Sequence, residues 1–390
     1  MKATKPKIIA LLIGILVIGT TSLYIAKFLA KSSGKSSLKS LVSTGIELFE
    51  KERYKDAVKK LEDCYQKAPE GDLKNQALLY ISRCYGAQDE HEKAAEFWGK
   101  VVENPAMATH HAEAFYSLAS LRSAGGTPDD MQAAEEYYRK AADVGSGSRF
   151  GHLAEIGIAK LMLDKGNIRG ARLILEKLQD EKKDYPQLRN ATFKLHMKLL
   201  FSPILTKVPE SQQYAVKEGD TLDGIARTFG TTADLLEESN GVNPLRLQIG
   251  KKLKVVTGKF SLKVSKSKNI LQLVGGDMAF NEYRIGTGKF GSTPAGRFTI
   301  AEKQKEPPWF RDGRVIPYGH PENVLGTRWM GFESPDGESG PTADGLGIHG
   351  TDDESSIGKE SSEGCIRLLN RDVEELYKIV PIGTEVLVEE

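Results

Sequence analysis

The chain has 390 residues, which at roughly 100 to 200 residues per domain argues for several structural units rather than one. Its 54 lysines and arginines stand against 53 acidic residues, a net charge of +1 without the basic excess that nucleic-acid binding requires. Apolar residues at 39% and charged residues at 27% exclude a wholly disordered chain, and three cysteines, Cys64, Cys84 and Cys365, are too few for a disulfide-framed scaffold.

Residues 1–7 form a basic tail carrying Lys2, Lys5 and Lys7. From Ile8 to Ala26 the chain is uncharged and mainly apolar, and as a helix this stretch would rise about 28 Å, close to the hydrocarbon thickness of a bilayer. A transmembrane signal anchor is predicted over 8–30, with the basic tail in the cytoplasm and everything after Lys27 exported. A cleaved signal peptide is the alternative, but the apolar run is long for one and no small-x-small cleavage site follows. The Lys- and Ser-rich 31–37 read as a linker.

Between 38 and 205 the pattern is helical and a phrase recurs around Ala57, Ala94, Ala134 and Ala171, at intervals of 37, 40 and 37 residues. A small residue at a fixed place lets two helices approach closely, and the apolar residues three and four positions away stack on the next helix. The phrase, exemplified by Tyr54-Lys-Asp-Ala57-Val-Lys-Lys-Leu61, resembles tetratricopeptide repeats, at a spacing above their usual period of about 34 residues. Such an array implies a concave face for a peptide or protein partner; the other reading is a self-stacking spacer. Cys64 and Cys84 fall in neighbouring predicted helices, either as two buried thiols or as a disulfide.

The segment 213–257 reads strand, helix, helix, strand, with Asp220 or Thr221 capping the first helix and Leu253 to Val256 as the closing strand. Its phrases Val216-Lys-Glu-Gly-Asp-Thr-Leu222, Ile225-Ala226, and Asn240 through Asn243-Pro244 to Ile249-Gly250 resemble a LysM domain, a small α+β module. That resemblance implies binding of glycans carrying N-acetylglucosamine, with Gly219, Asp220, Thr221, Leu222, Asn243, Pro244 and Ile249 as the contact surface.

From Lys259 to Glu390 the period shifts to two, with Phe260, Leu262 and Val264 alternating and strand-like runs at 270–274, 283–286 and 298–301. The domain reads as mainly β, with long loops from 305 to 351 and one helix over Asn370 to Ile379. Cys365 follows His349 by sixteen residues. A thiol at pH 7 is only about 3% thiolate, so a histidine that accepts its proton can raise the reactive fraction about thirtyfold. Gly364 before it permits a tight turn with backbone N–H groups near a developing oxyanion, and Arg367 can hold a carboxylate bidentately. On spacing alone, a catalytic thiol and an inert core cysteine both stay open. No zinc site is expected, because His349 and Cys365 lack two further ligands at suitable spacing, and no cofactor is expected.

His349-Gly350 followed by Ser362-x-Gly364-Cys365-Ile366-Arg367, with Thr293-Pro294-Ala-Gly296-Arg-Phe298 upstream, Pro307-Pro308-Trp309 between, and Asn323-Val-Leu-Gly-Thr327 after it, resembles the L,D-transpeptidase catalytic domain. The resemblance implies a β-sandwich whose cleft is covered by a loop, acting on peptidoglycan stem peptides. It makes Cys365 the nucleophile, His349 its base, the Gly364–Cys365 backbone the oxyanion stabiliser, the Gly350 carbonyl the orienter of the histidine and Arg367 a substrate-positioning group. Ser362 opens the motif and belongs to the site. Glu363 departs from the family, many of whose members carry histidine there, and a carboxylate beside Cys365 opposes thiolate formation. His320 is a second, more distant base candidate.

The sequence thus predicts an anchored bacterial cell-envelope enzyme, its soluble part extracytoplasmic and held on cell-wall glycan. Hydrolysis of the thioester by water, giving a carboxypeptidase or endopeptidase, or its transfer to a protein amine, are alternatives with the same fold. A non-catalytic wall-binding scaffold is the alternative of another class.

Overall fold

A continuous run of helices occupies the first part of the chain, and its residues show why. The computed structural model describes residues 36–181, 184–207, 209–276, 278–334 and 343–390. The predicted anchor at 8–30 lies outside the described residues, and no described helix is long and apolar enough to cross a membrane. Helix α1 is described from residue 36, inside the predicted linker, to 50. It is followed by α2 (Tyr54–Lys67), α3 (Asp72–Ala87), α4 (His91–Glu103), α5 (His111–Gly125), α6 (Pro128–Val144), α7 (Arg149–Asp164), α8 (Ile168–Asp180) and α9 (Pro186–Leu200). The recurrent alanines lie in α2, α4, α6 and α8 and are wholly buried, as residues that let helices approach closely must be. Proline and a capping side chain start α6, where Thr127 Oγ1 accepts from the Asp130 N–H at 3.1 Å.

The chain divides after Leu161 into two compact units. In the first, consecutive helices pack on one another around Leu61, Ile81, Trp98, Val101 and Met107. Arg83 on α3 donates two hydrogen bonds of 2.7 Å to the Glu113 carboxylate on α5, a bidentate pair at the helix contact. Cys64 and Cys84 are both free and buried, so the disulfide alternative is not what the fold contains; burial pushes the Cys84 thiol up to about 12.

The second unit takes in α8 and α9 as well as everything after them. Strand β1 (Ser211–Ala215), α10 (Leu222–Phe229), α11 (Ala233–Asn240) and β2 (Lys252–Val256) form the expected strand, helix, helix, strand module, with β1 antiparallel to β2. Thr221 and Thr232 cap the two helices, and Gly230 and Gly241 end them in the left-handed conformation that glycine adopts without strain. Lys254 on β2 is buried, and its ammonium donates to the carbonyls of Leu199, Leu200 and Ser202 at 2.6, 3.2 and 3.0 Å, closing the C-terminal end of α9.

The remaining strands are β3 (Phe260–Ser265), β4 (Ile270–Gly275), β5 (Met278–Arg284), β6 (Thr287–Gly288), β7 (Gly296–Lys305), β8 (Trp309–Arg311), β9 (Arg314–Ile316), β10 (Arg328–Glu333), β11 (Gly347–Thr351), β12 (Glu360–Ser362), β13 (Ile366–Leu369) and β14 (Glu385–Glu389). Eight of them form one sheet in the order β13-β11-β10-β7-β14-β3-β4-β5. The strand expected at 283–286 begins earlier and ends at Arg284. Gly286, just beyond β5, exchanges two backbone hydrogen bonds of 2.9 Å with Arg367 on β13, so the outer strands meet and the sheet curls around a single core. The implied two-layered packing is achieved by this one curled sheet. Helix α12 (Asn370–Ile379), as predicted, packs against it through Val373 and Leu376. The small α+β module is seated on the same domain, with Thr232 Oγ1 donating to the Lys378 carbonyl and ion pairs of 2.7 Å at Lys378–Glu238 and Lys305–Asp234.

Candidate active site

Strands β11 and β13 are parallel neighbours, with His349 opposite Arg367 and Ile348 opposite Ile366. Side chains alternate across a strand, so Ile348, Ile366 and Leu368 point to the core, all fully buried, while His349, Arg367 and the preceding Cys365 share the other face. The antiparallel neighbours extend that face, since Trp329 on β10 lies opposite both His349 and Gln304 on β7. Four strands therefore deliver Gln304, Trp329, His349, Arg367 and Cys365 to one surface. From strand spacing and rise, the Cα atoms of His349 and Cys365 lie about 8 Å apart, within reach of their side chains.

His349 is 2% exposed and lies beside the Trp329 ring, tilted by 30° with the centroids 6.2 Å apart. Its Nδ1 lies 2.8 Å from the Gly350 carbonyl oxygen, which accepts only, so Nδ1 carries the hydrogen and Nε2 keeps its lone pair. Burial lowers its pKa to about 4, with the Arg367 charge adding to the effect and the Gly350 carbonyl opposing it. At neutral pH the imidazole is an uncharged base of fixed tautomer.

The turn that presents Cys365 is held from three sides. Gly364 has φ +145°, a backbone conformation that favours glycine, and a Cβ there would press on Leu346 Cδ2 at 3.0 Å. The buried Ser362 hydroxyl donates to the Cys365 carbonyl at 2.6 Å and accepts from the Gly364 N–H at 3.2 Å. Thr293 Oγ1 donates to the Gly364 carbonyl at 2.7 Å while accepting from the Gly288 N–H, also at 2.7 Å. The Cys365 thiol donates to the Gly345 carbonyl at 3.3 Å, so its resting partner is this carbonyl and not His349. Burial raises the thiol pKa and the Glu363 charge adds to this; the Gly347 N–H and the Arg367 charge pull the other way. Arg367 itself keeps a buried Nε without a hydrogen-bond partner among the described residues.

Cys365 opens into a cleft of about 220 Å³ lined by Glu302, Gln304, Trp309, Phe310, Leu325 and Trp329 among others. One wall is the hairpin formed by β8 and β9. Arg311 on that hairpin stacks on Trp309 at 4.8 Å and donates to the Glu363 carboxylate at 3.2 Å. The family departure at Glu363 is thus paired with the cleft wall. His320 is exposed on a separate loop, where its Nδ1 accepts from the Glu322 N–H at 3.2 Å. Among the described residues no group of His, Cys, Asp and Glu is arranged to hold a metal.

In the small module, Thr221 is the helix cap, while Asp220 accepts from the Lys217 N–H at 2.7 Å and from the Tyr214 hydroxyl at 2.8 Å, closing the turn after β1. Gly219, Thr221, Asn243, Pro244 and Ile249 are exposed, and Gly250 donates to the Val216 carbonyl at 2.8 Å, bringing Ile249 beside that turn. Leu222 is sealed in the module's core, so only its backbone can face a ligand. Leu245, inside the expected contact segment 243–249 but not itself among the expected contact residues, is almost wholly exposed. The sequence likewise gives no site role to Thr293, Gly345 or Gly347, although Thr293 and Gly347 stand in motif segments of the catalytic domain.

The curled sheet, the cleft and the Gly-Cys turn define an L,D-transpeptidase catalytic domain, and the family model of that domain, YkuD, matches residues 259–388; a LysM domain matches residues 214–256. The protein "Putative L,D-transpeptidase YqjB" of Bacillus subtilis is 39% identical over 126 residues, 32% of this chain and 68% of its own length. "Putative L,D-transpeptidase YkuD" of Bacillus licheniformis is 35% identical over 182 residues, 44% of this chain and 96% of its own. The Bacillus subtilis protein of that same name is 32% identical over 182 residues, 45% of this chain and 97% of its own. The chain belongs to the L,D-transpeptidase family and carries a LysM domain after its helical array.

Proposed function

We propose that the protein cross-links peptidoglycan by acyl transfer through Cys365. The observation that carries this reading is the shared sheet face of Cys365 and His349, with the His349 Nδ1–H fixed on the Gly350 carbonyl so that Nε2 is free to take the thiol proton. As the thiol leaves the Gly345 carbonyl, its proton passes to Nε2 and sulfur bonds to the carbonyl carbon of the third stem residue. The backbone of the Gly364–Cys365 turn steadies the oxyanion through the Cys365 N–H, while the Gly364 N–H stays on Ser362 Oγ and holds the turn open for it. Collapse of the adduct expels the terminal D-alanine, whose nitrogen takes the proton from His349, and leaves a thioester. An acceptor amine then attacks, its proton passing by way of His349 to the departing thiolate. Arg367, opposite His349 on the face that Cys365 shares, holds a substrate carboxylate, and Ser362 keeps the turn in shape.

Retention on the wall falls to the LysM module through Gly219, Asp220, Thr221, Asn243, Pro244 and Ile249, with the Leu222 backbone beside them. The apolar segment 8–30 anchors the chain in the inner membrane, with the rest extracytoplasmic, and the helical array, resembling tetratricopeptide repeats, receives a protein partner.

The test is mass spectrometry of disaccharide-tetrapeptide incubated with the full-length protein in detergent, beside Cys365→Ala. Cysteine-dependent loss of D-alanine with a new dimer and a trapped acyl adduct on Cys365 is expected. Tripeptide without dimer would mean hydrolysis, and no turnover by the wild type would remove the enzyme reading.

A further inference from the structure

Phe290 combines two anomalies. Its backbone has φ +55° and ψ 32°, and the other described non-glycine residues with positive φ are Glu52, Asp89, Asn269, Glu306 and Asp312, all polar. A bulky side chain in that region is an outlier, and such outliers concentrate at functional sites. Its ring is also 100% exposed, the most exposed large apolar side chain among the described residues. Folding gains nothing from a ring held wholly in water on a disfavoured backbone.

The position of the residue gives these anomalies a meaning. Phe290 sits on a single turn, Lys289–Gly291, directly after β6. That turn is closed by Ser292 N–H donating to the Lys289 carbonyl at 3.0 Å, and β6 is paired with β12, Gly288 opposite Ser362. Thr293 then ties the segment to the Gly364 carbonyl at 2.7 Å. The ring therefore stands on a support fixed to the residue before Cys365, outside the 220 Å³ cleft that takes the reacting carbonyl. A lone flat ring with no walls around it suits a flat partner rather than a side chain, which needs a pocket. Within a muropeptide the flat apolar surfaces are the C–H faces of the pyranose rings, which carry partial positive charge toward an aromatic face. Three extended residues span about 10 Å, the scale of the separation between the acylated carbonyl and the sugar.

We propose that Phe290 is the stacking platform for the sugar of the muropeptide whose stem is being acylated, and that it makes the enzyme select glycan-borne stems over free peptides. This rests on the proposed function of Cys365. It is a substrate contact within the catalytic domain, separate from the LysM module.

The experiment compares kcat/KM on disaccharide-tetrapeptide with that on the free tetrapeptide, for the full-length wild type, Phe290→Ala, Phe290→Leu and Phe290→Trp. With Phe290→Ala and Phe290→Leu the disaccharide substrate should lose about fivefold, through KM with kcat unchanged, while the free tetrapeptide is unaffected. Phe290→Trp should keep the preference, because a ring is retained. Equal losses on both substrates, or none on either, would overturn the platform. Calorimetric binding of disaccharide-tetrapeptide to Cys365→Ala protein, with and without Phe290→Ala, reads the contact without turnover. A fivefold loss there supports the platform even if the wild type proves inactive, and an unchanged affinity overturns it.

Discussion

His349 is buried and His196 half-buried, and loss of water lowers both to a pKa of about 4, yet they are built for different things. His196 lies on α9, against the Phe280 ring at 4.6 Å, with its Nδ1 lacking a hydrogen-bond partner among the described residues. His349 has its Nδ1 committed to a carbonyl and shares a face with a thiol. A lowered pKa therefore reports the loss of water around an imidazole and says nothing of its task. On the proposed reading, the orienting acceptor and the neighbouring thiol are what separate a base from a piece of packing.

Replacing each histidine sharpens this contrast most. His349→Gln should reduce acylation of Cys365 by about a thousandfold, since general base catalysis contributes roughly 10²–10⁴. His196→Met should leave the acylation rate within about twofold and raise stability by about 1 kcal/mol, because a buried nitrogen without a partner is removed. Stopped-flow acylation and urea unfolding of both variants read the two effects.

Acid unites what activity separates. Both imidazoles are held below their ordinary value of 6.5, to about 4, so between those limits the unfolded chain binds more protons than the folded one. Stability therefore rises with pH across this window and is lost on acidification, by about 2 kcal/mol per histidine at pH 5. Urea midpoints at pH 7.5 and 5 should converge more closely in His196→Met than in the wild type; an identical pH dependence would contradict the burial argument.

The smallest effect belongs to Glu363. Its carboxylate raises the Cys365 thiol, after burial, and it pairs with Arg311 in an exposed contact of the kind that contributes little. Glu363→Gln should move the alkylation profile of Cys365 modestly to lower pH and change acylation by less than about threefold, with reduced sensitivity to salt. A larger change would mean that the Arg311 contact governs the cleft wall.

The legible parts of the molecule were those whose residues are close in sequence. The helix over Asn370–Ile379, the buried alanines of the array, and the strand, helix, helix, strand module all follow from local period and capping. Cys365 and His349 could be singled out because their motifs are short and contiguous. What could not be read depends on chain segments meeting across long separations. Thr293 reaches Gly364 over 71 residues and Arg311 reaches Glu363 over 52. The Gly345 carbonyl that holds the resting thiol is a backbone group and leaves no mark in a side-chain pattern. The placement of α8 and α9 with the C-terminal unit was also hidden, since it rests partly on one lysine whose contacts lie 52 to 55 residues upstream.

That lysine sets the mechanics of the second unit. The Lys254 ammonium grips the end of α9 while the acidic residues of α11 pair with Lys305 and Lys378, so the LysM module is tied to its neighbours at more than one point. A module on a flexible leash would let the active site sweep every stem within its radius. A clamped one acts as a gauge: on the proposed reading, a glycan seated in it offers Cys365 the stem at one fixed distance along the strand, and the spacing of cross-links becomes a property of the protein's own dimensions.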